Sequence, residues 1–536
     1  MPMSLFQRQA EWTADLLRIT PGWQRVQALR PDCDDVTVAT ILSQAAAFAE
    51  SVLGPLNTKA DRQGCVLAEG RVRTPDGFAE AFKAYAEAGW LGMDRPEAIG
   101  GQALPLSLQA ACAPLFERGC VALMMAAGAS RAAAHLLLEA ADETTASEWV
   151  PKLVSGEWAA TICISEPDAG SDVGRLRTKA RPVGEEWHIT GSKCWISFGD
   201  HDMASRIGHC LLARTSDEPG VKGISLFLVP DTIDGRRNGV CVERIEDKMG
   251  LHGSPTCVLR FEEARGIPIG PEGRGLPQLF TMIELMRLST GCQGLGIASA
   301  AADCAESYAA ERRQGGPAHK PPVSIASHPD VRRQLLEIRT RTEILRAAVL
   351  ELAVSMDLAR IEPEGEQQRD LADFCGWMLP LVKNFGAETG FDVANRAIQV
   401  LGGAGYTKEW PLEQYLRDAR VMSIYEGTTG MQALDLLTRR LWRDGGRGLD
   451  SFLKRARQDL ADLVTLAPQD TETAGRVLDD FERLSGQMMA MQTTPDQALY
   501  LADAYLSAAW NALFVWMTAR VAAGRYRADV IEEVAA

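Results

Sequence analysis

The chain has 536 residues, 46% hydrophobic and 24% charged, a balance that excludes a disordered polymer and supplies more sequence than one small core needs. A formal net charge of −15 argues against nucleic acid or an anionic membrane as the main partner, and leaves room for a local basic patch facing a phosphorylated ligand. Twelve cysteines scattered singly, without a C-x-x-C pair, and seven histidines without ligand spacing point to reduced thiols in a cytoplasmic protein and to no metal centre.

In chain order, the start MPMSLFQRQAEW lacks a charged segment followed by an apolar run, so no signal peptide is expected. No stretch is expected to span a bilayer, because the richest, around 498–523, is broken by Asp503, Asn511 and Arg520. Up to Glu157 the pattern is helical, with Ala-rich segments at 41–53 and 78–88 and turns at Gly54-Pro55 and Gly100-Gly101. From Trp158 short β-branched and aromatic segments follow at 187–190, 210–213, 224–229 and 257–261, which predict a small β-domain. After the Gly- and Pro-rich stretch 266–275 helices return. The clearest carries Leu335, Ile338, Thr342, Leu345, Val349, Leu352 and Met356, the stripe of a long bundle helix. Gly445 to Gly448 read as a hinge, and Val477, Phe481, Leu484, Met488 and Met491 repeat the helical spacing beyond it. The expected fold is α+β in four parts: an N-terminal helical domain over 1–157, a middle β-domain over 158–267, a helical bundle over 268–443 and a helical extension over 449–536.

Five segments carry candidate chemistry. Ile164 to Asp172 is a hydroxyl- and Gly-bearing turn suited to an anion or a ring edge, or a plain polar turn. On the strand Lys193-Cys194-Trp195-Ile196-Ser197, alternation puts Trp195 and Ser197 on one face, as core or as a cofactor wall. The glycines of 287–296 suit close helix packing better than a dinucleotide fingerprint, since no strand precedes them, and Arg287 is left to meet a phosphate. Gly402, Gly403 and Gly405 permit close approach of backbone to a ligand, or cap a helix, or both. Glu426 sits between an apolar pair and a Gly-Thr-Thr helix start, where a carboxylate favours the helix dipole or, held against apolar surface, becomes a base of raised pKa.

Together and in this order the five segments resemble the acyl-CoA dehydrogenase family over about residues 35 to 440. Glu426 follows Gln399 by 27 positions, the family's separation of the flavin-contacting Gln from the catalytic Glu. Leu53 to Asn57, Pro151 to Trp158, Gly223 to Pro230, Arg236 to Val240, Lys248 to Thr256 and His328 to Arg333 resemble the branch that includes the 3-methylmercaptopropionyl-CoA dehydrogenases. Residues 117–130, with Arg118, Cys120, Met124 and Met125, depart from that branch's apolar-aromatic pattern.

The resemblance implies FAD between the β-domain and the bundle, with a neighbouring subunit completing the site. It implies that Ile164, Ser165, Trp195 and Ser197 hold the isoalloxazine, and that Ser171 lies near the pyrophosphate and the pantetheine arm. Ser165 stands where many relatives have Thr, and its hydroxyl remains. By the same match Arg287, Gln399 and Gly403 meet the adenosine diphosphate part of the partner's FAD, and Thr428 helps seat the cofactor. Glu426 takes the α-proton of an acyl-CoA, Gly427 adjoins the substrate, and hydride leaves the β-carbon for flavin N5. An electron-transferring flavoprotein is the implied acceptor. A homodimer is expected, with the stripe after Gly448 packed on its own bundle. The alternative is a family-like FAD protein without dehydrogenase activity, a DNA-associated stress protein or a flavin monooxygenase.

Overall fold

A computed structural model describes residues 3–30 and 32–535, with side chains described through Arg525. Packing divides the chain into two compact units. One comprises Met1–Glu50, Pro105–Arg118 and Arg287–Ala536, the other Ser51–Leu104 and Gly119–Met286. These packing units are not the same division as the four sequence blocks, since residues 1–157 contribute to both units. Helical periodicity shows that a face must be buried, but not which element buries it.

The first unit is helical. Its helices Leu5–Arg18 and Asp35–Phe48 are capped by Ser4 and Asp34, whose side chains accept from the N–H groups of Gln7 and Thr37. Helix Pro329–Ile361 buries Ile338, Thr342, Leu345, Val349 and Leu352, the expected stripe. It packs beside Glu366–Leu401. The segment from Arg287 on approaches that helix through glycines: a Cβ on Gly294 would stand 1.9 Å from the Gly386 carbonyl oxygen, and one on Gly291 2.6 Å from Val382. Close packing is thus what the 287–296 glycines serve.

The extension belongs to this unit. Gly445 and Gly446 have positive φ and end the preceding segment, and helices Arg447–Leu463, Pro468–Ala490 and Ala502–Ala535 follow. On the second of these, Leu478, Phe481 and Met488 are buried, while Val477, Leu484 and Met491 are partly covered. Phe481 meets Trp377, Phe452 and Tyr505, so the stripe packs against its own chain. Arg520, fully buried, pairs with Glu351 at 2.8 Å and with Asp459 at 2.7 Å.

The second unit is built on strands Trp158–Cys163, Lys179–Val183, Glu186–Ser197, Arg206–Arg214, Ile224–Pro230, Val240–Ile245 and Thr256–Ile269. All four β-segments expected from the sequence lie in these strands. Pairings from Lys179–Val183 through Glu186–Ser197, Thr256–Ile269, Ile224–Pro230 and Arg206–Arg214 back to Lys179–Val183 close a ring. Cys163, Ile189, Ile196, Leu211, Phe227 and Phe261 fill one core. Trp149, Leu153, Leu212, Leu226 and Leu228 belong to a second. The strand Thr256–Ile269 runs into the Gly- and Pro-rich stretch, with Pro268 in register with Phe227.

Among the described residues two helices are long and apolar enough to cross a membrane by length and composition, Asp35–Gln63 and Leu106–Ala140, which corrects the expectation that no stretch is. Alanine raises the hydropathy of both, and the apolar window of Leu106–Ala140 is 83% buried within the protein.

Candidate active site

In the β-containing unit the site is assembled by a buried ion pair. Lys193, fully buried, donates to the Glu166 carboxylate at 2.8 Å and to the Ile164 carbonyl at 2.9 Å. Glu166 also accepts from the N–H groups of Arg177 and Thr178. Burial pushes the Lys193 ammonium down, and Glu166 opposes the shift. The Cys194 N–H then donates to the Ser165 carbonyl at 2.9 Å. Ile164 and Ser165 are in this way held beside the strand that carries Trp195 and Ser197.

Trp195 is not core. Its neighbours Cys194 and Ile196 are buried, yet Trp195 is 63% exposed and adopts φ 63°, a conformation costly for an aromatic residue. Ser165 and Ser197 are half-buried, and Ser171 is exposed. The side chains of Asp168, Arg175, Leu176, Arg177 and Arg214 line a cavity of about 420 Å³, with Arg177 paired to Asp168 at 2.8 Å and Arg175 to Asp172 at 2.7 Å.

In the helical unit the centre is the corner Glu426-Gly427. Both residues have positive φ, 52° and 91°, the second of which only glycine adopts freely. Thr428 caps the short helix Thr429–Leu434, its hydroxyl accepting from the Met431 N–H, so this exposed residue already has a structural task. The Gln432 amide donates to the carbonyls of Glu426 and Gly427, each at 3.1 Å, and the Lys383 ammonium donates to the Gly427 carbonyl at 2.5 Å. Among the described residues no acceptor takes the Glu426 N–H.

Burial pushes the half-buried Glu426 carboxyl up, and the cations Lys383 and Arg287 restrain it. Burial pushes the Lys383 ammonium down to about 7. Next to Glu426, the Tyr425 hydroxyl donates to the Gln293 side-chain oxygen. Tyr425 also feels Glu117, itself pushed well up by burial.

Arg287 is placed differently from expectation. It is only 7% exposed and donates to the buried Asp435 carboxylate at 2.7 Å. It is thus committed within its own unit, facing Glu426, rather than left to meet a phosphate. Gln399 and Gly403 lie at the other end of helix Glu366–Leu401, both exposed. Gly402 is the C-cap with φ 61°, and a Cβ on Gly403 would meet nothing within 4 Å. Capping and open approach therefore coexist there.

Lys383, Gln432 and Asp435 are not expected from the sequence, and Lys193 is expected only as part of its strand. Lys383 did carry a signal: it follows Leu379-Pro380-Leu381-Val382 and has no acidic residue three or four positions away. A helical Lys with neither solvent-facing neighbours nor an in-helix partner is a candidate buried charge. Five buried polar atoms in or beside this cluster lack a hydrogen-bond partner: Glu117 Oε2, Arg287 Nε, Asn384 Oδ1, Gln432 Oε1 and Asp435 Oδ1. Folded proteins leave few such atoms, and their grouping here suits a polar ligand.

Comparison with known proteins follows the same lines. Family models described as the N-terminal, middle and C-terminal domains of acyl-CoA dehydrogenase match residues 38–157, 161–264 and 273–441. The 3-methylmercaptopropionyl-CoA dehydrogenase of Ruegeria pomeroyi is 36% identical over 445 residues, 80% of this chain and 75% of that protein. The broad-specificity linear acyl-CoA dehydrogenase FadE5 of Mycobacterium tuberculosis is 35% identical over 441 residues, 78% of this chain and 72% of that protein. The crystal structure of Caenorhabditis elegans ACDH-11 in complex with C11-CoA is similar in fold, with a TM-score of 0.79 at 21% identity, covering 94% of this chain and 89% of that one.

Proposed function

The chain belongs to the acyl-CoA dehydrogenase family, and from that premise we propose that it is an FAD-dependent enzyme that converts an acyl-CoA thioester to the trans-2-enoyl-CoA, with Glu426 as the base. The observation that carries this is the Glu426 corner: a carboxyl raised by burial, restrained by two cations, on a backbone whose N–H is unspent. A base needs a pKa near the working pH, and opposing burial against charge is how a protein sets one. The unspent N–H would donate to the thioester oxygen as enolate charge grows there, an oxyanion arrangement.

The residues present fit a flavin. Trp195 offers an exposed aromatic face, with the Ser165 and Ser197 hydroxyls and Ile164 beside it, to hold the isoalloxazine. Gln399 and Gly403, exposed and sterically open, suit the adenosine diphosphate portion, in keeping with a partner's cofactor in a homodimer. Thr428 shapes the corner as a cap, and Gly427 gives substrate close access to backbone. When bound, FAD supplies the hydride acceptor. Glu426 would take the α-proton at its carboxylate, and the exposed Ser171 hydroxyl is open to the pantetheine arm.

The family resemblance supports an electron-transferring flavoprotein as acceptor, and twelve cysteines scattered singly, without a C-x-x-C pair, support a reducing, cytoplasmic setting. The acyl group stays open, since relatives at 36% and 35% identity are named for different acyl chains. The test is anaerobic addition of acyl-CoAs of varied length and branching to the purified yellow protein. Bleaching of the flavin by at least one is expected, and no bleaching by any would favour a family-like protein without dehydrogenase activity.

A further inference from the structure

Lys383 is fully buried in helix Glu366–Leu401, and an ammonium has three donors. Among the described residues it makes one hydrogen bond, to the Gly427 carbonyl at 2.5 Å. A buried charge with one hydrogen bond is costly to keep, unless its charge is matched nearby. The groups acting on it are Glu426, Arg287 and Glu388. Arg287 is neutralised by Asp435, and Glu388, raised by burial, also feels Asp503. Of the two carboxyls, Glu426 acts on Lys383 the more strongly.

The helix places Lys383 by close packing. Gly386, one turn on, would bring a Cβ within 2.6 Å of Gly291, so the two helix backbones touch where Lys383 and Arg287 lie. Gln432 holds the same corner from its other side, donating to both carbonyls. A corner with two successive positive-φ residues, one a glutamate, is strained, and these donors over-determine it.

We propose that Lys383 is the positioning residue of Glu426: its ammonium holds the Gly427 carbonyl, fixes the left-handed corner that carries the carboxyl, and supplies the positive charge that lets Glu426 ionise inside the protein. The assignment rests on Glu426 being the base, and it goes beyond it by naming what makes that base available. Arg287 contributes in the same sense, but its charge is shared with Asp435. Below about pH 7, where Lys383 holds its proton, the two ionisations are therefore coupled, each charge stabilising the other.

The test uses the full-length flavoprotein and Lys383→Met, Lys383→Gln and Lys383→Arg, each checked by circular dichroism and flavin content. Infrared difference titration follows the Glu426 carboxyl directly, its band identified by loss in Glu426→Gln. An opposite charge nearby lowers a carboxyl pKa by about one to three units, so Lys383→Met should raise it by about one unit or more, roughly a tenfold loss of ionised base at pH values below the Glu426 pKa. Lys383→Gln keeps a donor for Gly427 and loses the charge; it should show the same rise, and it serves if the Met variant does not fold. Lys383→Arg should restore the wild-type titration. The lower limb of the pH profile of flavin reduction should move up with the Glu426 pKa. A folded Met or Gln variant whose Glu426 titrates as in wild type would overturn the proposal. A raised Glu426 pKa in a protein whose flavin no acyl-CoA reduces would uphold the Lys383 assignment and refute the dehydrogenase reading.

Discussion

The Arg287 guanidinium donates to the Asp435 carboxylate at 2.7 Å across 148 residues of chain, and both side chains are buried. Arg439 and Arg440 stand further off the same carboxylate, at 3.6 and 3.9 Å. Removing one member of a buried pair strands the other, at a cost of about 3–5 kcal/mol. Arg287→Ala and Asp435→Ala should both lower the unfolding free energy by that order. Denaturant unfolding that matches wild type would show that the pair carries no structural role.

Trp195 makes the opposite prediction. Its ring is 63% exposed, so Trp195→Ala removes little packing from the folded chain. Flavin occupancy after dialysis should fall, while the unfolding free energy of the flavin-free protein stays within about 0.5 kcal/mol of wild type. Equal occupancy would remove Trp195 from the cofactor wall.

Stability should depend on pH through Lys383. Its pKa of about 7 in the folded chain lies below the ordinary value of 10.5. Between these values the unfolded chain holds the extra proton, so stability rises with pH across that window and is lost as pH falls towards 7. The slope from one such group is at most about 1.4 kcal/mol per pH unit. The difference in stability between wild type and Lys383→Met should therefore shift in favour of wild type from pH 7 upward. A constant difference would mean that Lys383 titrates normally.

The extension is integral to the helical unit. Phe452 is fully buried and stacks on Trp377 with ring centroids 4.1 Å apart, and Trp377 belongs to the bundle helix Glu366–Leu401. Phe452→Ala should cost about 3–5 kcal/mol. A chain ending near Arg443 should aggregate in light scattering, where the intact chain is expected to run as a dimer. A soluble, fully folded truncation would show that the stripe packs elsewhere.

What the sequence showed and what it hid divide along physical lines. Local patterns were legible: the stripe from Ile338 to Leu352, the four β-segments, and the 287–296 glycines read as close packing. Glu426 was legible as a base through the family resemblance, 27 positions after Gln399, since its own neighbourhood suits a dipole-favouring carboxylate as well. Long-range matters were not legible. Lys383 and Asp435 gain their meaning only when chain segments far apart meet, and Arg287 reads as free to meet a phosphate because its acceptor lies 148 residues on. For the same reason the packing of residues 1–50 with the bundle could not be read from their helical period.

The central claim, that Glu426 is the base of an acyl-CoA dehydrogenase, is tested most directly by anaerobic stopped-flow reduction of the flavin in wild type and Glu426→Gln, with an acyl-CoA that bleaches the wild type. The amide is nearly isosteric, so fold and flavin content should be kept, while the loss of a positioned base should slow reduction by about 10² to 10⁴-fold or more. Reduction of the Gln variant at close to the wild-type rate would contradict the assignment.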